Sequence, residues 1–481
     1  MSTHAEVADV QAILESLEAR LGELAGKVRA GAGLEEVERE LHQSLLDTGR
    51  TALRWLTGAA GDGDVGPELV AAGERYRRRR PAPLPLRTSF GTVELSRYVY
   101  VSAAGDCLYP LDAQLELSQK QVSPFLQQRL VRMGAKDAFG GVRDDLREDL
   151  HLSMSGRTIQ EVMRYRAQDA REFRSQTVPK QVAPGRLLVV NFDGKGIPVL
   201  KSEQERNPWK NLLPGEKPNK RRMAMLATIH EQDPVEHDVE AIVSRERSSR
   251  DAASPRPAVE NREVIADLED RVHVFREVRR QIEARLGPDT LLVIGSDGDR
   301  SQLALIAKHF GDLDPLVLLD WYHASTYLWG AALALQPADP EEYFERQARR
   351  MLAGNTATVI RGMRQSLTKR RKKGLSAVAK AIRYFENHLD VMAYDIAIAE
   401  GAPIGTGSVE GACGHVVRAR MERPGMRWSV EGAQAVLLLR CIQVSGLAAA
   451  HDAWFREREI KRLHGWRQNV SQQETRGRGA V

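Results

Sequence analysis

Residues 186–197 read RLLVVNFDGKGI. A run of branched apolar residues that stops at Asp193-Gly194 predicts a buried strand ending in a tight turn, with a carboxylate at its tip. About a hundred residues on, 291–300 read LLVIGSDGDR and repeat the arrangement around Asp297. A third acid, Glu410, stands in PIGTGSVEGAC (403–413), which reads as the opening of a helix. Two strand-end carboxylates and one on a helix can converge on a pair of divalent cations roughly 4 Å apart, a spacing that clamps the attacking and leaving oxygens of a phosphodiester. Magnesium suits such a site because it takes oxygen ligands and keeps part of its water, so one or two carboxylates per ion suffice. Glycines beside Asp193 and Asp297 leave room for a substrate backbone. Taken singly, either aspartate could be an ordinary turn residue closing a strand. The three in this order point to chemistry on nucleic acid.

Downstream of Asp193 the sequence predicts a basic loop with Lys195, Lys201, Arg206, Trp209 and Lys210, then a strand, MAMLATIHE. A polar stretch from Ser244 to Pro257 leads to a helix around Arg262 to Leu286, then to the strand ending at Asp297. Ser301 to Phe310 reads as a helix, Leu316 to Leu319 as a strand, and His323 to Glu400 as almost wholly helical. The helix bearing Glu410 is expected to continue toward Gln443. This order predicts an α/β fold with a ribonuclease-H-like catalytic core, a mixed sheet with helices, interrupted by a helical insertion.

Upstream, residues 7–58 carry apolar side chains at helical spacing (Val10, Ile13, Leu17, Leu21, Leu24), which predicts one or two amphipathic helices. A short helix is expected to end in the run Tyr76 to Arg80, followed by PAPLPL as a stiff linker and a hairpin over Arg87 to Val101. Ser123 to Arg174 reads as helical. Ser155 resembles the entry to the second helix of a helix-turn-helix, with Arg157, Gln160, Arg164 and Arg166 on its polar face to meet base edges in a major groove. The same pattern also fits plain helical packing. The expected regions are 1–80 (helices for oligomerisation or DNA binding), 81–175 (hairpin and helix-turn-helix), 186–322 (first part of the core), 323–400 (helical insertion), 401–467 (final helix with Glu410) and 468–481 (disordered tail).

With 481 residues the chain is long enough for two to four domains. Its net charge of +5 understates the clustering of basic residues at 76–80, 369–373 and 456–467, which suits a polyanionic partner. Three scattered cysteines make neither a disulfide framework nor a zinc ribbon. The polar opening MSTHAEVADVQ and the lack of a long apolar run predict a cytoplasmic, nucleoid-associated protein with no membrane partner.

The motifs NFDGKG, SDGDRS, LLDWYHASTYLW and PIGTGSVEGACGHVVRARMERPGMRWSVEGAQAVLLLR together resemble the DDE transposases of bacterial insertion sequences of the ISKra type, relatives of the Mutator-like transposases. The resemblance runs from about residue 85 to 460, and the Glu410 block is its most specific part. It implies that Asp193, Asp297 and Glu410 are catalytic acids holding two Mg²⁺ ions, with Mn²⁺ able to substitute. It further implies that the protein binds double-stranded DNA, both transposon ends and target, as a homodimer or higher oligomer in a synaptic complex. Asp299 competes with Asp297 for the second position. Asp320 and His323, from the Asp-Trp-Tyr-His motif, are secondary candidates, equally readable as a satisfied helix-start pair. Lys195, Arg418, Arg420, Arg423 and Arg427 are candidate DNA contacts beside the acids, and Trp428 reads as core or a stacking wedge. Relatives carry a cysteine pair ahead of the segment matching Pro110-Leu111-Asp112; here only Cys107 is present, so no zinc is expected. The alternatives are a domesticated transposase-derived DNA-binding protein and a metal-dependent nuclease of the same fold.

Overall fold

The computed structural model describes residues 2–204, 220–244, 257–336, 338–369 and 376–469. The expected basic loop at Arg206, Trp209 and Lys210, most of the stretch before Pro257, the basic run from Arg370 and the tail beyond residue 469 lie outside the described residues. The chain divides into two compact units, 1–169 with 449–481, and 170–448.

In the first unit, helices α1 (Ser2–Arg29) and α2 (Leu34–Gly58) fold back on each other, with Arg20 paired to Glu40 at 3.0 Å. Strands β1 (Glu68–Ala71) and β2 (Glu74–Arg78) form a hairpin turned by Ala72 and Gly73, both at positive φ. The arginine run therefore lies on a strand and not on a helix, and only Tyr76 of β2 faces inward. The expected PAPLPL linker is strand β3 (Ala82–Thr88), paired with β4 (Gly91–Arg97). Its leucines alternate inward while Pro83 and Pro85 stay exposed; a two-stranded sheet leaves each strand a free edge, where proline is tolerated. Strands β5 (Tyr100–Ser102) and β6 (Cys107–Leu108) extend the β1–β2 sheet, so the hairpin predicted over 87–101 is shifted toward the N-terminus.

After α3 (Pro110–Gln114), helices α4 (Pro124–Lys136), α5 (Phe139–Leu150) and α6 (Gly156–Ala167) share a core of Leu126, Leu130, Val142, Leu146, Ile159 and Val162. Ser155 caps α6 as expected, its hydroxyl accepting from the Thr158 N–H at 3.0 Å.

The second unit begins with α7 (Ala170–Gln176) and is organised by a five-stranded mixed sheet. Strand β7 (Leu187–Pro198) is central. After α8 (Lys201–Gln204) comes β8 (Arg221–Gln232), antiparallel to β7; after α9 (Val239–Val243) comes β9 (Val259–Asp267), antiparallel to β8. The sequence assigned residues 262–267 to a helix, but they complete β9, and helix α10 starts later (Arg271–Arg285), capped by Asp270. Strands β10 (Leu292–Ser296) and β11 (Leu316–Leu319), joined through α11 (Arg300–Phe310), run parallel to β7 on its other side. The spatial order is β11-β10-β7-β8-β9.

Alternation along β7 sets the two faces of the sheet. Leu188, Val190 and Phe192 pack under α10 and α11, with Phe192 stacked on Phe275 at 4.5 Å. Leu187 and Val189 face a helical block made of α12 (Trp321–Leu335), α13 (Pro340–Leu352), α14 (Thr356–Lys369), α15 (Ser376–Glu386) and α16 (Tyr394–Ala399). The predicted helical insertion thus packs on one face of the sheet and shares a core with it. Asn191 and Asp193 continue the row that faces this block.

The helix carrying Glu410 does not run to Gln443. It comprises α17 (Gly407–Ala412), a π-helical turn (Cys413–Arg418) and α18 (Ala419–Met421). The chain breaks at Pro424-Gly425, where Gly425 adopts positive φ, and α19 (Val430–Val444) restarts from a Ser429 cap. No helix among the described residues is long and apolar enough to cross a membrane.

Candidate active site

Strand β7 does not end at Asp193. The β7–β8 ladder continues through Gly194, Lys195 and Gly196 to Pro198. What ends near Asp193 is the parallel pairing with β10, whose last matched pair is Gly295 with Asn191. Continued by two residues, that register sets Asp297 beside Asp193, and the β10–β11 register sets Asp320 next in the row. Asp297 and Asp320 thus follow the C-terminal ends of β10 and β11, and Asp193 lies beside them within β7, where the parallel pairing stops; the ends of parallel strands are where open α/β sheets leave a crevice.

The three have different duties. Asp297 follows β10 in the predicted tight turn, and its Oδ1 accepts the Asp299 N–H at 3.0 Å. Gly298, at φ +92°, makes that turn; a Cβ there would meet Leu319 at 2.7 Å and His388 at 3.0 Å. His388 and Tyr384 of the helical block hold the turn through the carbonyls of Gly298 (2.7 Å) and Asp297 (3.2 Å). Gly298→Ala is accordingly expected to cost about 1–3 kcal/mol of stability, readable as a lowered denaturation midpoint. Asp299 caps α11 through the Gln302 N–H (2.9 Å) and Ser301 (2.5 Å). Burial pushes its carboxyl up, but these bonds outweigh it and hold the group below the usual range. Asp299 is thus engaged as the cap of α11, whereas Asp297 is not a helix cap.

Asp320 is buried and fully engaged. One oxygen accepts the His323 N–H at 2.8 Å and caps α12; the other accepts the Thr406 N–H at 2.7 Å and the Thr406 hydroxyl. The satisfied helix-start reading therefore holds for Asp320, which clasps the segment leading into α17. His323 is exposed, 5.8 Å from the Tyr327 ring, and its charge acts to lower the Glu410 carboxyl.

Asp193 and Glu410 are both held above the ordinary carboxylate range. Burial raises the Asp193 carboxyl, and the charge of Asp297 adds to it, against a hydrogen bond from Cys413 that lowers it. Glu410 is raised by desolvation, then by the charges of Asp320 and Asp193. Asp193 is thus the acid that links the other two. Because both carboxyls sit above their unfolded values, the folded chain holds their protons longer than the unfolded chain does. The stability they contribute is full below the ordinary carboxylate range and is lost as pH rises through their folded values. In chelator, Asp193→Asn should therefore melt above wild type at neutral pH, the gap closing on acidification; scanning calorimetry checks the sign.

Among the described residues no three His, Cys, Asp or Glu side chains stand close enough together to hold one ion. The donors nevertheless suit a hard divalent cation. Asp193, Asp297 and Glu410 offer oxygen alone, and none is ion-paired to a basic side chain among the described residues. A cleft of about 320 Å³ opens beside Asp297, lined in part by Gly194, Met223, Met225 and Arg271.

The candidate DNA contacts divide similarly. Arg418 and Arg427 are exposed, and Arg423 is half-buried with its Nε donating to the Ala419 carbonyl at 2.9 Å. Lys195 lies 4.0 Å from Glu422, which also takes Arg221 at 2.5 Å. Arg420 is a correction: it is fully buried, its guanidinium 4.9 Å from the Trp428 ring centre, and cannot reach a phosphate. Trp428 is core, its indole N–H donating to the Met421 carbonyl at 3.0 Å. In the first unit Arg157 is exposed and paired with Glu161 at 3.0 Å, while Gln160 and Arg164 are half-buried. Arg166 leaves the predicted polar face altogether; it is buried, paired with Asp452 and 4.2 Å from the Phe455 ring centre.

Sequence reasoning missed Asn191, Thr228, Thr406, Ser408 and Cys413, the polar side chains that seat α17. The one signal available was an asparagine inside the apolar run LLVVNF. The fold is mixed α/β, built on a mixed sheet, with Asp193 within its central strand and Asp297 and Asp320 just past the ends of β10 and β11. A scan against protein-family models finds no match, and neither does a search of curated proteins.

Proposed function

We propose that this chain is a DDE transposase of the ISKra type, a metal-dependent polynucleotidyl transferase that cuts and joins DNA at the ends of its element. The observation that carries the reading is the set of three carboxylates, Asp193 within β7, Asp297 after the end of the neighbouring β10 and Glu410 on a late helix, none of them ion-paired to a basic side chain among the described residues. Like charges kept near one another and only partly offset, by Lys195 and His323, cost stability, which a binding-only protein has no reason to bear. The strand order adds support: counted within the sheet it runs three, two, one, four, five with the second strand reversed, as expected of a ribonuclease-H-like core.

On this reading Asp193, Asp297 and Glu410 would hold two Mg²⁺ or Mn²⁺ ions, which would supply Lewis-acid stabilisation of developing charge and an acidified water. Asp193, shared between the other acids, orients the set. The exposed Arg418 and Arg427 follow Glu410 on the same stretch of chain and contribute phosphate contacts that position the DNA without reading its sequence. Arg157, Gln160 and Arg164 of α6 are assigned to the element's inverted repeats. The test is cleavage and joining of DNA carrying those repeats in Mg²⁺ or Mn²⁺. Metal-dependent nicking at the ends, followed by joining to a target, is the expected result. Nicking without joining would favour a nuclease, and end binding without nicking a domesticated binding protein.

A further inference from the structure

Three buried or half-buried polar side chains meet in the middle of the second unit where apolar ones would pack as well. Asn191 of β7 is 2% exposed and Thr228 of β8 is 0% exposed. Both bond to the Ser408 hydroxyl, Asn191 Nδ2 donating at 2.7 Å and Thr228 Oγ1 lying 2.8 Å away. Room for Asn191 is made by Gly295 on the neighbouring strand, where a Cβ would collide with the asparagine Oδ1. Five residues after Ser408, the Cys413 thiol donates to Asp193 Oδ2 at 3.2 Å. The helix is therefore stapled to β7 twice, at Asn191 and at Asp193, and Glu410 lies between the staples.

Buried polar networks seldom add stability over well-packed apolar groups, but once satisfied they fix one arrangement. Asn191 and Asp193 are two apart on one strand, so they share a face, and the two staples set both the height and the rotation of α17 against it. The π-helical turn begins at Cys413, the residue that makes the second staple. Such turns shift a helix's facing locally and recur at functional sites.

We propose that Asn191, Ser408 and Cys413 are positioning residues that fix the Glu410 carboxylate relative to Asp193, and so set divalent-cation affinity. The proposal rests on the reading of Asp193 and Glu410 as metal ligands. It accounts for an asparagine in an apolar strand, a glycine opposite it and a buried thiol against a carboxylate. Each would otherwise be an unexplained departure from apolar packing.

The test is Mn²⁺ titration of the full chain followed by electron paramagnetic resonance, with thermal melts in chelator run alongside. Ser408→Ala and Cys413→Ala are each expected to weaken Mn²⁺ binding about 10–100-fold, as supports of ligating side chains do. Cys413→Ser, which keeps a donor, should recover most of the loss. A positioning role acts through Glu410, so in a Glu410→Gln background Ser408→Ala should add little further loss. A general structural defect would instead add its full effect in that background and lower the melting temperature in proportion. Full additivity, or Ser408→Ala and Cys413→Ala binding as wild type does, overturns the proposal. If wild type binds no Mn²⁺ that Asp193→Asn abolishes, the metal-site reading itself fails and takes the proposal with it, an outcome distinct from the other two.

Discussion

Replacing Asp193 by asparagine is expected to lower metal-dependent DNA cleavage by about a thousandfold or more while leaving the protein folded. The size follows from the role proposed for the acid: metal stabilisation of transition-state charge is worth several kcal/mol, and each 1.4 kcal/mol or so is tenfold in rate. Asp193 is the most exposed to this loss because both other acids couple to it. The substitution is nearly isosteric, and the Cys413 thiol can still donate to the asparagine oxygen, so the surroundings need not move. Burial and the Asp297 charge both disfavour the ionised form of Asp193. The metal-free variant should therefore be as stable as wild type or more so. Parallel cleavage assays and melts decide it. A variant that cleaves within tenfold of wild type, or one that loses activity only because it unfolds, would show that Asp193 is not a ligand.

Asp320→Ala is expected to behave in the opposite way, as a stability mutation first and an activity mutation second. The side chain is 3% exposed and accepts from the His323 N–H, the Thr406 N–H and the Thr406 hydroxyl. Removal takes away the cap of α12 and leaves a buried N–H at Thr406 without its partner. Loss of a cap costs about 1 kcal/mol and an orphaned buried donor about 1–3 kcal/mol, so a total of about 2–4 kcal/mol is expected from urea unfolding. Asp299→Ala is the natural comparison, since Asp299 caps α11 from an exposed position and should cost only about 1 kcal/mol. Because Trp321 also bonds to the Ile404 carbonyl at 2.9 Å, the Asp320 clasp holds the segment just ahead of α17. Some loss of cleavage should follow through a displaced Glu410. Equal unfolding midpoints for the Asp320 and Asp299 variants would refute the clasp.

The parts of the fold that were legible in the sequence are those where local pattern and tertiary role agree. The runs before Asp193 and Asp297 are buried on both faces, and a run of branched apolar residues has few other uses. Ser155, followed by helix-forming residues, capped α6 as its side chain dictates. Where pattern and role parted, the reading failed for identifiable reasons. In β2 the flanking arginines carry good helix propensity and hide a period of two marked only by Tyr76. In β3 the prolines suggested a linker, though Pro83 and Pro85 stay on the exposed face. The first half of β9 is exposed, so its polar residues carry no strand signal. Gly194 looked like a turn, yet its lack of a side chain merely leaves the ladder with Met225 undisturbed.

The proposed acids stand out in the sequence, whereas the polar side chains that seat α17 do not. A carboxylate after an apolar run is conspicuous, whereas Ser408, Thr406 and Cys413 acquire meaning only once α17 lies on β7. Arg166 and Arg420 show the converse error, since sequence alone cannot tell an arginine aimed at DNA from one stacked on Phe455 or Trp428.

The central claim is that Asp193, Asp297 and Glu410 hold a pair of divalent cations. Anomalous diffraction from crystals grown with Mn²⁺ tests it most directly. The account predicts manganese peaks at these carboxylates, within ligating distance of Asp193, Asp297 and Glu410. Peaks elsewhere on the protein, or none at these carboxylates under conditions where DNA is cleaved, would contradict it.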